Sequence, residues 1–216
     1  QIGIVFNKFN MFELAEEELK KVLDENENNA IAHWKLGETF AWLDRTEEAI
    51  AAYQKAIKLD PENPEIYNSL GMTFRFVRKY NEAIDAFEKS ISIQPNQEGT
   101  LDQLGNLYSL VYNNEKSVGA YKKRVEILKQ IIVLYPKDIY TLKNIGFSLA
   151  MMGNFEEAVK IYQNLIELKP EDSLFRYNLG NVYDNLKKPE KAIEVLRKAV
   201  ELNPHNTSTH HLLAGI

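Results

Sequence analysis

The sequence predicts an all-α solenoid, a fold in which antiparallel helix pairs stack along the chain. Six of its ten glycines stand at intervals of 34, 34, 34, 41 and 34 residues, at Gly3, Gly37, Gly71, Gly105, Gly146 and Gly180. Five of the seven prolines close the resulting units, at Pro61, Pro95, Pro136, Pro170 and Pro204. A fixed period of this length is typical of stacked units that are each too small to bury an apolar face alone.

Each unit contains the sequence pattern of two helices. In the unit 30–63, apolar residues recur at helical spacing on both sides of a short polar turn at 44–45. The second helix is predicted to end before Pro61, because proline cannot continue a helix. Two antiparallel helices joined by a tight turn must approach closely, and we expect the small residues Gly37 and Ala49 to permit that contact.

The order of these residues resembles the tetratricopeptide repeat signature, in which Leu-Gly is followed by an aromatic residue, alanine, a second aromatic and a late proline. The unit 30–63 matches the signature at Leu36, Gly37, Phe40, Ala49, Tyr53, Ala56 and Pro61. The resemblance implies that residues 1–216 form one right-handed superhelical solenoid of antiparallel helix pairs, with a concave groove lined by the first helix of each pair. We predict full repeats at 30–63, 64–97, 98–138, 139–172 and 173–206, and partial repeats at 1–29 and 207–216.

The third full repeat is seven residues longer than the others, and the excess falls between Tyr121 and Pro136. Apolar residues keep alternating steps of three and four through this stretch, which predicts one continuous second helix. Seven added residues lengthen a helix by about 10 Å and turn it by almost two whole turns, so its inward face stays in register. The insertion is either a tolerated extension or a ridge through which the long helix 114–135 self-associates, since Ile131, Ile132 and Leu134 need cover.

Composition narrows the class of partner. With 26 Lys and Arg against 31 Asp and Glu, the chain lacks the basic character that nucleic acid or an anionic membrane surface attracts, so neither is expected as a direct partner. No apolar run approaches the roughly 18 residues of a membrane span. The chain contains no cysteine, which excludes disulfides and thiolate sites. Because Gln1 falls inside a repeat, we expect a piece of a longer protein, cytoplasmic by default.

No catalytic constellation emerges from the polar residues. The histidines are His33, His205, His210 and His211, and the adjacent pair does not share a helix face as metal ligands would. Acidic pairs such as Glu47 and Glu48 start second helices, where carboxylates favour the helix dipole. We therefore expect no enzymatic activity, no metal and no cofactor.

The resemblance places a binding site for a protein or peptide on the first helices. The groove residues that we single out are Trp34, Glu38, Trp42, Met72, Phe76, Asn106, Asn144, Phe147, Tyr177, Asn178 and Asn181. The large apolar members form a binding surface if they are exposed, or else they pack between neighbouring helices. The asparagines offer a donor and an acceptor to a peptide backbone, or else they are solvated polar positions.

Three functions fit the sequence. The leading interpretation is a non-catalytic adaptor that binds a peptide or partner protein in the groove. One alternative is an assembly scaffold that acts through its ends, its convex face or the long helix. Another is the targeting arm of a larger enzyme, such as an O-linked N-acetylglucosamine transferase. A clamp for chaperone C-terminal carboxylates, which uses Lys and Arg with two Asn, is not expected, because no three consecutive repeats supply that set. Where a lysine is present, at Lys143, the paired position four residues on is Phe147.

Overall fold

The computed structural model describes residues 11–216, so Gly3 and the start of the first partial repeat lie outside the described residues. Across the described range the chain forms α-helices joined by short turns, with no strand. The helices are α1 (Phe12–Glu25), α2 (Ala30–Trp42), α3 (Thr46–Leu59), α4 (Pro64–Phe76), α5 (Tyr80–Ile93), α6 (Glu98–Leu110), α7 (Asn114–Leu134), α8 (Ile139–Met151), α9 (Phe155–Leu168), α10 (Ser173–Asn185), α11 (Pro189–Leu202) and α12 (Thr207–Gly215). The all-α prediction is confirmed, and each predicted full repeat contains two helices.

The helices form two compact units, Gln1–Tyr112 and Asn113–Ile216. In the first unit, buried apolar residues of α1 to α5 form one core, centred on side chains such as Tyr53 and Ile66. In the second unit, α7 to α11 form another, around side chains such as Tyr162 and Leu165. Within each unit a helix contacts the helices that precede and follow it, which is how stacked repeats bury their apolar faces.

Asparagine and aspartate start most of the first helices. A side-chain oxygen accepts a hydrogen bond from a first-turn backbone N–H at Asn29, Asn63, Asp138, Asp172 and Asn206. Gln97, before α6, makes no such bond. A capping side chain is typically worth about 1 kcal/mol of helix stability, so most repeats fix the start of their own first helix.

A further hydrogen bond ties several first helices to the connection before them. A polar side chain in the first turn bonds the backbone carbonyl six residues earlier, at the position of the repeat-closing proline. The pairs are His33 with Glu27, Tyr67 with Pro61, Arg176 with Pro170 and His210 with Pro204. The bond survives where the first repeat has glutamate instead of proline, because it uses only the backbone carbonyl. It also accounts for His33, which is buried as a structural residue.

The repeat glycines lie where the two helices of a pair touch. A Cβ atom built on the glycine would stand 2.6 Å from Tyr53 at Gly37, 2.8 Å from Phe87 at Gly71, 3.1 Å from Tyr162 at Gly146 and 2.5 Å from Leu196 at Gly180. These distances leave no room for a side chain at Gly37, Gly71 or Gly180. The predicted close approach of the paired helices is therefore confirmed.

The turn inside each pair places one residue in the left-handed region. The φ angles are 61° at Asp44, 61° at Arg78, 59° at Tyr112, 78° at Gly153 and 55° at Lys187. After α2, the backbone N–H of Arg45 donates to the Phe40 carbonyl at 2.9 Å and that of Asp44 to Ala41 at 3.3 Å, the pattern of a Schellman helix end. Only one of the five residues is glycine, so the other four hold a conformation that costs an L-residue about 1–2 kcal/mol.

The insertion forms one continuous helix, as predicted. Helix α7 has 21 residues, whereas the other second helices, α3, α5, α9 and α11, have 14 each. The buried side chains Tyr121, Val125 and Leu128 continue in helical steps to Ile132, which packs against the core of the second unit. The added length, about 10 Å, thus keeps its inward face in register.

We predict opposite effects for the same substitution at two helical glycines. Gly71→Ala should lower the free energy of unfolding by about 1–3 kcal/mol, because its Cβ would overlap the Phe87 ring. Gly119→Ala is the matched control in α7, where no atom lies within 4 Å, and it should raise stability by about 1 kcal/mol through helix propensity. Urea titrations followed by helical circular dichroism measure both, and an equal response would contradict the contact.

Substitutions in the left-handed turns should change the stability of the protein in opposite directions. Arg78→Gly and Lys187→Gly should each stabilise the protein by up to about 1 kcal/mol, because glycine adopts positive φ without strain. Gly153→Ala, at the equivalent turn, should destabilise it by a similar amount. Thermal melts of the three variants test this, and loss of stability in the two glycine variants would show that the native side chains compensate for the turn.

Candidate functional site

Four of the predicted groove residues meet in one pocket of the first unit. The pocket lies beside α2 and α4, encloses about 500 Å³, and is lined in part by Glu38, Trp42, Met72 and Phe76. We call it the α2–α4 pocket. It combines residues at equivalent positions of two successive repeats, which the 34-residue period brings side by side.

The apolar wall of the pocket is unusually exposed. Trp42 is 71% exposed, Phe76 is 72% exposed and Met72 is 40% exposed. Trp42 and Phe76 are the last residues of α2 and α4. The Trp42 ring stacks on that of Phe12, with centroids 5.6 Å apart and planes within 6°. Stacking holds the indole in one orientation while leaving most of it accessible.

A chain of hydrogen bonds fixes the polar side of the pocket. The indole N–H of Trp34 donates to Ser69 Oγ at 2.9 Å, and the Ser69 hydroxyl donates to Glu38 Oε1 at 3.2 Å. The other Glu38 oxygen accepts from Lys35 Nζ at 2.7 Å, and that ammonium lies 3.8 Å from the Trp34 ring centroid. Trp34 is half-buried, and its bond to Ser69 helps to position Glu38. The sequence predicted that Trp34 itself lines the groove.

The floor of the pocket belongs to the core. Tyr53 lines it from α3 and is 1% exposed, in the space that Gly37 leaves open. Burial raises the pKa of the Tyr53 phenol well above its usual range, so it stays protonated. Thr73, also in the lining, donates its hydroxyl hydrogen to the Ser69 carbonyl at 3.0 Å. A ligand would thus meet a rigid floor.

The rim of the pocket carries charged groups of both signs. Asp44 and Arg75 are among its lining residues, and Glu38, also in the lining, is already paired with the Lys35 ammonium. Nearby Arg45 is already paired with Glu16 and Glu48, at 2.5 Å each. The C-terminal ends of α2 and α4 also lie here, and the negative end of a helix dipole favours cations. Sequence reasoning missed Asp44, which lies in the turn after α2, and Arg75, which lies in α4 outside the groove positions that it followed.

The charge of the two units differs in sign. Residues 1–112 contain 11 Lys and Arg against 19 Asp and Glu, a net charge of −8, and residues 113–216 contain 15 against 12, a net charge of +3. The overall charge of −5 hides this asymmetry. The α2–α4 pocket therefore lies in a strongly acidic unit.

The predicted asparagines are less available than expected. Asn144 is only 8% exposed and its amide nitrogen is buried without a hydrogen-bond partner. Asn106 is half-buried and donates to the Asp102 carbonyl at 2.9 Å, while Asn181 is exposed and accepts from Asn185. Asn178 is half-buried. The structure thus does not present these amides as one open row.

The remaining predicted residues, Phe147 and Tyr177, lie apart in the second unit. Phe147, 37% exposed, packs edge-on against Tyr121 with ring centroids 6.0 Å apart. Tyr177 borders a shallow cavity with His210 and His211 of α12. Residues 11–216 contain no cluster of His, Cys, Asp and Glu that could hold a metal ion. None of the helices described combines the length and the apolar composition needed to cross a bilayer.

Family models match the chain over its regular repeats. A model described as TPR repeat matches residues 43–74 and 146–187, and two described as tetratricopeptide repeat match 64–97 and 174–206. Together they cover 43–97 and 146–206, more than half of the chain. The repeat with the long helix lies in the interval between them.

Solved structures of similar fold cover most of the chain. YrrB, described as a TPR protein with an unusual peptide-binding site, is 25% identical, with a TM-score of 0.71 over 91% of this chain and 97% of its own. PilF of Pseudomonas aeruginosa is 16% identical, with a TM-score of 0.73 over 100% and 95%. MamA is 21% identical, with a TM-score of 0.62 over 81% and 92%. The last two show likeness of fold alone.

Comparison with proteins of curated function gives no match. The family therefore rests on three observations that agree: the signature residues, the helix pairs that they form and the family models that match them. The chain belongs to the tetratricopeptide repeat family.

Proposed function

We propose that the protein is a non-catalytic adaptor that binds a segment of a partner protein in the α2–α4 pocket. The observation that carries the proposal is the pair of exposed aromatic residues, Trp42 and Phe76, on the wall of a 500 Å³ pocket. Tetratricopeptide repeats are protein–protein interaction modules, and large exposed apolar groups in a concave site favour binding. YrrB, the similar protein with a peptide-binding site, adds support from a related fold.

The energetics favour binding through a single apolar side chain of the partner, which acts as an anchor in the pocket. Burial of apolar surface contributes about 25 cal/mol per Å², and tryptophan is enriched among the few residues that dominate interface energies. Because Trp42 is stacked on Phe12 and Tyr53 is locked in the core, little side-chain freedom is lost when a ligand enters. An apolar side chain of the partner between Trp42, Met72 and Phe76 would therefore supply most of the affinity.

The rim defines the chemistry of the partner. The Asp44 carboxylate, the C-terminal ends of α2 and α4 and the net charge of −8 on the first unit favour a cation beside the apolar anchor, and Arg75 opposes it. The segment that fits is thus an apolar or aromatic residue flanked by lysine or arginine. The predicted role of Asn144 and Asn178 in gripping a peptide backbone, and the alternative of a targeting arm of a larger enzyme, stay predictions.

Peptide selection tests the proposal without a known partner. A random peptide library selected on the 216-residue chain should enrich peptides with an apolar residue next to a basic one. Trp42→Ala or Phe76→Ala should weaken the selected peptides about thirtyfold, the equivalent of about 2 kcal/mol. Leu59→Ala, an exposed apolar residue of α3, is the matched control and should leave binding unchanged.

Two readings decide the outcome. The melting temperatures of the Trp42 and Phe76 variants should stay close to that of the parent, since both side chains are mostly exposed. Peptides that bind all four proteins equally would place the binding site elsewhere and contradict the proposal.

A further inference from the structure

The added turns of α7 leave a second apolar surface exposed. Val133 is 77% exposed, Leu134 is 72% exposed and Tyr135 is 65% exposed, whereas the core of the second unit covers Ile132. Leu134, Tyr135 and Ile131 border a cavity of about 630 Å³. We call residues 131–137 the α7 end. The insertion thus packs Ile132 against the core of its own unit, and it leaves Val133, Leu134 and Tyr135 exposed.

We propose that the α7 end of one copy docks into the α2–α4 pocket of a second copy. The inference rests on the proposed function, since it uses the same pocket and names its occupant. The chemistry of the two surfaces corresponds: the pocket favours an apolar anchor beside a cation, and the α7 end offers Leu134 and Tyr135 with Lys137, while Lys129 lies just before it in α7.

Charge selects this pairing over contact between two α7 ends. Two copies joined through the same α7 surface would bring Lys129 and Lys137 of one copy near those of the other, and like charges repel. The cavity at the α7 end also has Asp138 in its lining, but that carboxylate caps α8 by accepting from the Thr141 backbone N–H. The first unit, with a net charge of −8, attracts the second, with +3.

The proposed contact is heterologous, because it joins different surfaces of the two copies. Each copy then keeps one free pocket and one free α7 end, so assembly continues until a ring closes or a filament forms. The same chain would thereby act as a scaffold built by its own repeats.

Sedimentation of the 216-residue chain is the first test. We expect association that grows with protein concentration up to roughly 1 mM. Raising NaCl from about 0.1 M to about 1 M should weaken it, since the screening length falls from about 10 Å to about 3 Å. A monomer at every concentration in low salt would overturn the proposal.

A mixing experiment tests the geometry. One variant removes the pocket wall (Trp42→Ala with Phe76→Ala) and the other removes the α7 surface (Val133→Ser with Leu134→Ser). Each should sediment as a monomer alone, and the mixture should form a one-to-one complex, because each variant supplies the surface that the other lacks. Leu174→Ser, at another exposed apolar residue of the second unit, is the control and should assemble like the parent. Self-association of the pocket variant alone would show α7–α7 contact and overturn the proposal.

A peptide experiment separates this inference from the proposed function. A labelled peptide of residues 127–138 should bind the α7 variant, and the pocket variant should bind it at least about tenfold more weakly. If library peptides bind the pocket but this peptide does not, the self-docking proposal fails and the proposed function stands. If neither binds there, both fail. Lys129→Glu with Lys137→Glu in the peptide should abolish binding, which a purely apolar contact would not require.

Discussion

The contact between a glycine in the first helix and a large side chain in the second determines the rest of this structure. At Gly37 and Gly71 the neighbouring ring occupies the place of a Cβ atom, so the ring of the second helix packs directly on the backbone of the first. Trp42 and Phe76 stand five positions after these glycines, at the ends of the same helices, where both side chains are mostly exposed.

In a protein that is assembled from such pairs, packing restricts the residue types in the core more than those at the ends of the first helices. The contact residues Tyr53, Phe87, Tyr162 and Leu196 differ between repeats, yet each fills the same space because only volume and apolar character matter there. At the ends of the first helices Trp42 and Phe76 are mostly exposed, so packing restricts the residue type there less than in the core. These positions can therefore vary with function at little cost to the fold.

The sequence was sufficient for the elements whose physics is local and periodic. The glycine frame, the terminating prolines and the apolar steps gave the helices and the continuous α7, because each depends on spacing alone. It was insufficient to predict the exposure and hydrogen bonds of side chains that depend on contacts with other repeats. Trp34 and Asn144 have the spacing of groove residues, but one donates to Ser69 and the other is buried, outcomes that depend on residues a full repeat away. Asp44 was missed because a turn residue follows no helical period, and Arg75 because it lies in α4 beside the groove positions.

The length of the insertion explains why it exposes one surface while burying another. A change of seven residues preserves helical phase, so the inward face of α7 continues to Ile132 and gains cover from its own unit. Val133 and Leu134, which follow Ile132 at the end of α7, remain mostly exposed. An insertion of five residues would have turned the apolar stripe away from the core by about 140°. Seven residues extend the scaffold without disturbing it, and the exposed end becomes available for contact with another surface.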